Sequence, residues 1–402
     1  MKTAGIITEY NPLHGGHVHL MEETRRILGP ETAVICVMSG QFVQRGDFAL
    51  VGKYARAEAA VRSGADLVLE LPLPWAVSSA ERFAEGGVQH LLATGLVTHL
   101  AFGSECGSAE PLQRLAEVLL SEEFPERLKR ELGSGVSFAA ARQRAVEGLV
   151  SREEAALLEG PNNILGVEYC KSLLRAGGSV VPVTVPRVGA AHDSEAAEGE
   201  VPSASAVRNL LRFGERERAL AGMAPAMAET YLTEEAAGRA PVYRETCERA
   251  ILARLRSMTE AEFAALDEGK EGLHRRLYEA VRSAVSVDEV LELAKTKRYA
   301  YARLRRMVLW AYLGLTPGDC PERPLYLRPL AANAMGRSLL GQMRKTAEVP
   351  VLTKPAAVRR LEEPALRLFE LEARAADLYT LAYPDLAAAK PDGAWKESPV
   401  LL

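Results

Sequence analysis

Between residues 3 and 185, short and nearly continuous apolar runs alternate with longer stretches in which apolar residues return every three or four positions. The runs at 3–8, 33–38, 66–71, 99–102 and 180–185 read as strands. Two of them, AVICVM and DLVLEL, are apolar on both faces, the pattern of strands buried inside a parallel sheet. The stretches at 16–28, 53–63, 79–93 and 163–176 read as helices. This alternation predicts a doubly wound α/β sheet, in which ligands bind beyond the carboxyl ends of the strands. From about residue 215 the strand pattern stops, and helical patterns such as CERAILARLRSM and EPALRLFELEARAADLYTLAY take over. The expectation is an α/β domain over 1–215, with a charged helical insert at about 110–160, and a C-terminal α-helical domain over 216–402. A chain of 402 residues can bury both cores.

Composition narrows the class. Net charge is −4, so only a local basic patch can speak for nucleic acid. Five cysteines stand far apart with no CxxC pair, which argues against a zinc site or a disulfide framework and fits a reducing compartment. No apolar run approaches the roughly 18 residues of a membrane span. The apolar start runs straight into Glu9 and a group of histidines, unlike a signal peptide. A cytoplasmic enzyme is expected.

The joint between the first strand and the first helix reads EYNPLHGGHVHL, residues 9–20. Glycines there let a ligand approach the backbone, and the helix start offers amide donors and a positive dipole end to an anion. His14 and His17, three residues apart at that helix start, add donors able to grip two positions of a phosphate chain. The plainer alternative is a capping loop with two surface histidines. A zinc site needs a third ligand, and none is evident.

HGGH in this setting resembles the HxGH signature of the nucleotidyltransferase superfamily. Downstream, VPSASAVRNLL (201–211) is similar to that superfamily's second phosphate motif, with Ser203 and Ser205 opening a helix and Arg208 adding a fixed positive fork. Alone, it would pass for a Ser-capped helix. The stretches VMSGQFVQRGDFALVGKYARAEAAVRSGADLVLELP, AFGSE, PNNILGVEY and TKRYAYARLRR together resemble the tRNA(Met) cytidine acetate ligase family, densely through residue 215 and more sparsely beyond.

That resemblance implies a Rossmann-like fold of the nucleotidyltransferase type and an ATP-dependent enzyme. Acetate would be activated as acetyl-adenylate with release of pyrophosphate, Mg²⁺ assisting. The N4 amine of the wobble cytidine of elongator tRNA(Met) would then take the acetyl group, giving N4-acetylcytidine. Carried over residue by residue, the ATP-binding loop comprises Ile7, Thr8, Glu9, Tyr10, Asn11, Pro12, Leu13, His14, Gly15, Gly16, His17, Val18, His19 and Leu20. Gly103, Asn163, Arg187 and Val188 match further nucleotide contacts, Asn163 being preferred to Asn162. Leu13 and Gly15 depart from the commoner Phe and Asn, and Leu20 stands where a histidine often does. His19 carries no assigned contact. His14, His17 and Arg208 are the expected catalytic group, acting by position and charge.

Two further segments invite a function. SGQFVQRGDFAL (39–50) reads either as a solvated loop or as a lip over the substrate, with Arg45 holding acetate or a nucleic-acid phosphate and Lys53 and Arg56 extending the positive surface. TKRYAYARLRRMVLW (296–310) sets Tyr301, Leu304, Val308 and Ala311 on one apolar stripe and leaves Lys297, Arg298, Arg303, Arg305 and Arg306 as an expected tRNA-binding face. Lys354, Arg359 and Arg360 form a weaker cluster, and a solvated basic face is the plain alternative for both. His192 and Asp193 are the candidates for a general base. Rival readings are a small-molecule adenylyltransferase that makes a dinucleotide-type cofactor, and a non-catalytic nucleotide-dependent RNA-binding protein.

Overall fold

Every apolar run of the first half becomes a strand in the computed structural model, which describes residues 2–134, 136–187, 202–269, 272–297 and 299–402. In chain order the strands are β1 (Thr3–Thr8), β2 (Ala33–Ser39), β3 (Phe42–Val43), β4 (Asp47–Phe48), β5 (Leu67–Leu71), β6 (His99–Ser104), β7 (Val181–Pro186), β8 (Pro329–Ala332) and β9 (Val400–Leu401). Seven of them form one sheet in the order β7-β6-β1-β2-β5-β8-β9. All neighbours are parallel except β5 and β8. From β1 the chain builds outward through β2 and β5, then returns to lay β6 on the other side of β1. That reversal is a topological switch point, where α/β sheets bind their ligands.

The sheet is buried on both faces, as AVICVM predicts. Ala33, Ile35 and Val37 pack into one core with Val88 and Leu91 of the helix Ala80–Ala93. Val34, Cys36 and Met38 pack into the other with Met21, Ala57 and Ala60 from the helices Gly15–Leu28 and Lys53–Arg62. The expected insert is helical: Ala109–Leu120, Glu123–Leu132, Phe138–Glu147 and Arg152–Ala156 precede the helix Pro161–Ala176.

The second half is mainly helical but adds β8 and β9 to the sheet. Strands therefore do not stop at residue 215. β8 has four residues, opened by a proline and closed by two alanines, and β9 has two, so neither carries a readable period. The segment expected as a lip is also more buried than a lip. β3 and β4 form a hairpin whose Phe42 and Phe48 rings meet at 4.8 Å, with Tyr379 of the helix Ala365–Thr380 packed against both.

Lys53 and Arg56 do not extend a positive surface. Both are buried. Lys53 Nζ sits 2.6 and 2.8 Å from the two oxygens of Glu70. Arg56 donates to the carbonyls of Glu9, Ser39, Gly40 and Val51, so one guanidinium ties together the ends of β1 and β2. Each backbone carbonyl that leaves a sheet inside the protein needs a donor, and a buried arginine supplies several at once.

Candidate active site at the carboxyl end of the sheet

The chain leaves β1 through a constrained turn. Tyr10 takes a left-handed backbone with φ 47°, and Asn11–Pro12 is a cis peptide. Asn11 Oδ1 accepts the Leu50 amide at 2.8 Å, which fixes the turn to the hairpin segment. His14 then caps the helix Gly15–Leu28: its Nδ1 accepts the Gly16 amide at 3.1 Å, and His17 Nδ1 accepts the His14 amide at 3.2 Å. The capping reading of HGGH is thus correct in its geometry, and it defines the chemistry. With both Nδ1 atoms accepting, the proton of each neutral ring resides on Nε2. The rings lie 3.9 Å apart, and Tyr10 meets His17 edge-on at 5.0 Å. Burial, the neighbouring His14 and the Arg187 charge together hold His17 well below the ordinary histidine range. A Cβ on Gly16 would lie 3.0 Å from the His14 ring, so glycine lets that ring fold back onto the helix turn. His19 lies within the electrostatic reach of Glu23 one turn on, outside the His14–His17 pair.

β6 and β7 bring the next residues. Gly103, near the end of β6, pairs with Val185, and a Cβ on it would meet the Arg187 side chain at 3.5 Å. Arg187 is exposed, donates to Asn162 Oδ1 at 3.0 Å and is close enough to His17 to depress its proton affinity. Asn163 is buried and serves the loop after β6. Its Oδ1 accepts from Ser104 Oγ at 2.8 Å, the Glu105 amide at 3.1 Å and the Cys106 amide at 3.3 Å. The carboxamide beside the arginine is that of Asn162, which the sequence reading ranked second. Glu105, which binds the amides of both asparagines, was missed. The adjacency of Asn162 and Asn163 was the available signal. Val188, His192 and Asp193 lie outside the described residues.

The second motif reaches the same place. Ser203 caps the helix Ala204–Arg212 by accepting the Ala206 amide at 3.1 Å. Arg208 on that helix donates to the Asn11 carbonyl and to Ser205 Oγ, the latter at 3.2 Å. The backbone after this helix closes on the histidine loop, with the Ala224 amide donating to the Leu13 carbonyl at 3.1 Å. Glu9 sits among these cations. Its Oε1 accepts the Gln44 amide at 2.6 Å, and burial raises its proton affinity against the pull of Arg208, Arg45 and Arg56.

The basic row of the helical half divides. Leu304, Val308 and Ala311 of the helix Tyr301–Leu313 are buried, as the stripe predicts. Arg306 is buried too, its Nε and Nη2 bound to the Glu268 carboxylate at 2.5 and 2.9 Å, so it is not on the outward face expected of it. Arg303 donates to the Glu268 carbonyl at 2.8 Å. Lys297 is exposed, and Arg305 lies 4.8 Å from the Tyr301 ring centre. Arg298 lies outside the described residues. Lys354, Arg359 and Arg360 are exposed.

The profile of the HIGH Nucleotidyl Transferase family matches residues 1–392. A tRNA(Met) cytidine acetate ligase of Acetivibrio thermocellus is 36% identical over 404 residues, covering 97% of each chain. Its counterpart in Caldanaerobacter subterraneus subsp. tengcongensis is 37% identical, covering 98% of each. The chain belongs to the tRNA(Met) cytidine acetate ligase family. A family member from Thermotoga maritima, TmcAL bound with alpha-thio ATP, superposes with a TM-score of 0.92 at 33% identity over the whole of both chains. The same protein without ligand gives 0.95 at 34% identity. The mostly parallel sheet and the helical half are therefore the architecture of this ligase family. Among the described residues no helix is long and apolar enough to cross a membrane.

Proposed function

We propose that the protein is an ATP-dependent ligase that acetylates the wobble cytidine of elongator tRNA(Met) at N4. The observation that carries this is the intact His14–His17 pair at the switch point of a sheet whose chain matches the ligases end to end. In the first step an acetate oxygen attacks the α-phosphorus of ATP and the bond to the β-phosphate breaks, releasing pyrophosphate. The Nε2–H groups of His14 and His17, with the helix-start amides, donate to the phosphates where charge builds up. A neutral His17 does this by hydrogen bonding, and Arg208 supplies the fixed positive charge. Ser203 and Ser205 each accept through Oγ, from Ala206 and Arg208 respectively, so their hydroxyl protons stay available to donate to a phosphate. Ile7 to Leu20, Gly103 and Arg187 hold the nucleotide, with Asn162 positioning Arg187 and Asn163 holding the loop after β6 in place; Val188, matched with them, lies outside the described residues.

In the second step the N4 lone pair of cytidine attacks the acetyl carbon, the bond to AMP breaks, and the amine gives up a proton. No side-chain nucleophile is needed. Burial pushes the Cys36 and Cys170 thiols up to about 12, far from a reactive thiolate. Among the described residues no three His, Cys, Asp or Glu side chains group to hold a metal. Mg²⁺, where it assists, would arrive on the triphosphate. Lys297, Arg303 and Arg305 form the face toward tRNA, while Arg306 braces it from within; Arg298, expected to join them, lies outside the described residues.

Isotope exchange between pyrophosphate and ATP tests the first step. Exchange that requires acetate and proceeds without tRNA supports the reading. Exchange indifferent to acetate would favour a small-molecule adenylyltransferase, and no ATP turnover would favour a non-catalytic RNA-binding protein.

A further inference from the structure

We propose that Phe213 is a stacking platform for an unpaired base of the tRNA anticodon loop, a neighbour of the reacting cytidine, at the rim between the histidine loop and the helical half. The inference rests on tRNA being the acceptor and adds a contact that neither the phosphate motifs nor the basic row supplies.

Phe213 is the most exposed large apolar side chain among the described residues, at 79%. A single exposed apolar residue is ordinary, but this one has a particular place. It directly follows the helix Ala204–Arg212. Val207, Leu210 and Leu211 turn one side of that helix into the core. Ser205, Arg208 and Arg212 share another side, from which Arg208 reaches the Asn11 carbonyl. At about 100° per residue, Phe213 falls beside this polar side and away from the core side. It stands about 7.5 Å beyond Arg208 along the helix axis, roughly two steps of a stacked strand.

A ring of contacts ties this helix end to the site. Asn11, in the turn that leads into His14, accepts the Leu50 amide at 2.8 Å through Oδ1. The Leu50 carbonyl accepts the Val242 amide at 2.9 Å, and the neighbouring Tyr243 ring centre lies 4.8 Å from the Arg212 guanidinium. Arg208 closes the ring by returning to Asn11. Arg212 is held in position: its Nη1 and Nη2 bond the two Glu245 oxygens at 2.9 and 3.3 Å, while its side chain stays 38% exposed. Because Glu245 meets its charge, the rim offers planar surface more than free charge. Such surface suits a base. RNA loops are bound by stacking splayed bases on aromatic rings and guanidinium planes. An enzyme that reacts at one base also takes it out of the stack. The adjacent base then has a bare face, and an exposed ring at the rim replaces the stacking partner it has lost.

The test is steady-state acetylation of unmodified tRNA by the full chain at several salt concentrations, comparing Phe213→Ala, Phe213→Tyr and Phe138→Ala. Phe138 is 56% exposed and opens the helix Phe138–Glu147 of the insert. Thermal melts verify that each variant is folded. The expected result is kcat/KM for tRNA lowered about tenfold in Phe213→Ala, near wild type in Phe213→Tyr and unchanged in Phe138→Ala. Because the ring carries no charge, the slope of log(kcat/KM) against log salt in Phe213→Ala stays that of wild type. No loss in Phe213→Ala, an equal loss in Phe138→Ala, a loss that tyrosine does not restore, a changed salt slope or an equal loss of tRNA-free pyrophosphate exchange would overturn the platform. So would a dimer in solution that Phe213→Ala converts to monomer, which would give the ring to a second copy of the chain. A wild-type protein that leaves tRNA unmodified would instead overturn the ligase reading beneath it.

Discussion

The amide of His14 donates to Nδ1 of His17 at 3.2 Å, while Nδ1 of His14 accepts the Gly16 amide of the same first turn at 3.1 Å. One capping arrangement thus orients both rings and sets their tautomers. Replacing either histidine by alanine should lower acetate-dependent pyrophosphate exchange about a hundredfold or more, the usual cost of losing a preorganised donor. A loss under tenfold would remove the histidines from the chemistry.

The same pair fixes a pH dependence. In the unfolded chain His17 titrates at its ordinary 6.5, while in the folded chain burial holds it well below that. As pH falls below 6.5 the unfolded state binds a proton that the native site refuses, so His17 lowers stability on the acid side. Denaturant unfolding of His17→Gln should show a weaker loss of stability than wild type from pH 7 toward pH 5. An acid limb of identical size in both would mean that His17 is protonated in the native site.

Gly103 separates packing from binding. A Cβ there meets Arg187 at an ordinary 3.5 Å, so Gly103→Ala should melt within about two degrees of wild type. If the nucleotide passes over this strand end, the KM for ATP should nevertheless rise about tenfold. An unchanged KM would place the nucleotide elsewhere.

Asn163 is expected to behave differently from its neighbour. Its Oδ1 serves three donors from the loop after β6. Asn163→Asp keeps an acceptor and should retain most stability, whereas Asn163→Ala leaves buried donors unpaired and should cost about 2 kcal/mol. Asn162→Ala should chiefly alter ATP binding through Arg187. Thermal melts and ATP titrations of the three variants distinguish these outcomes.

Arg56 should prove structural. It is fully buried and carries four backbone carbonyls at the ends of β1 and β2 and the start of the next helix. Arg56→Met should destabilise the protein by about 3 kcal/mol or more in denaturant titrations. A cost below about 1 kcal/mol would show that water replaces the guanidinium at those carbonyls.

Much of the site was legible because it depends on local order. The run TAGIIT followed by HGGH specifies a strand, a glycine joint and a capped helix within about 20 residues, a scale on which period and capping are readable. Arg208 was legible through its motif, although its bond to the Asn11 carbonyl spans 197 positions. What stayed hidden is set by distant partners. Whether Arg56 faces water or four carbonyls depends on where β1 and β2 end. Whether Arg306 faces RNA or Glu268 depends on a loop 38 residues earlier. β8 was invisible because four residues against β5 gain their identity from pairing, not from propensity.

The most direct test of the central claim supplies the protein with ATP, carbon-labelled acetate and unmodified elongator tRNA(Met), then digests the tRNA and weighs its nucleosides. The account predicts one labelled acetyl group on the wobble cytidine, with AMP and pyrophosphate formed in equal amounts, and none of this in His14→Ala. Unlabelled cytidine alongside continued pyrophosphate release would contradict it, because ATP would then be adenylating something other than acetate destined for tRNA.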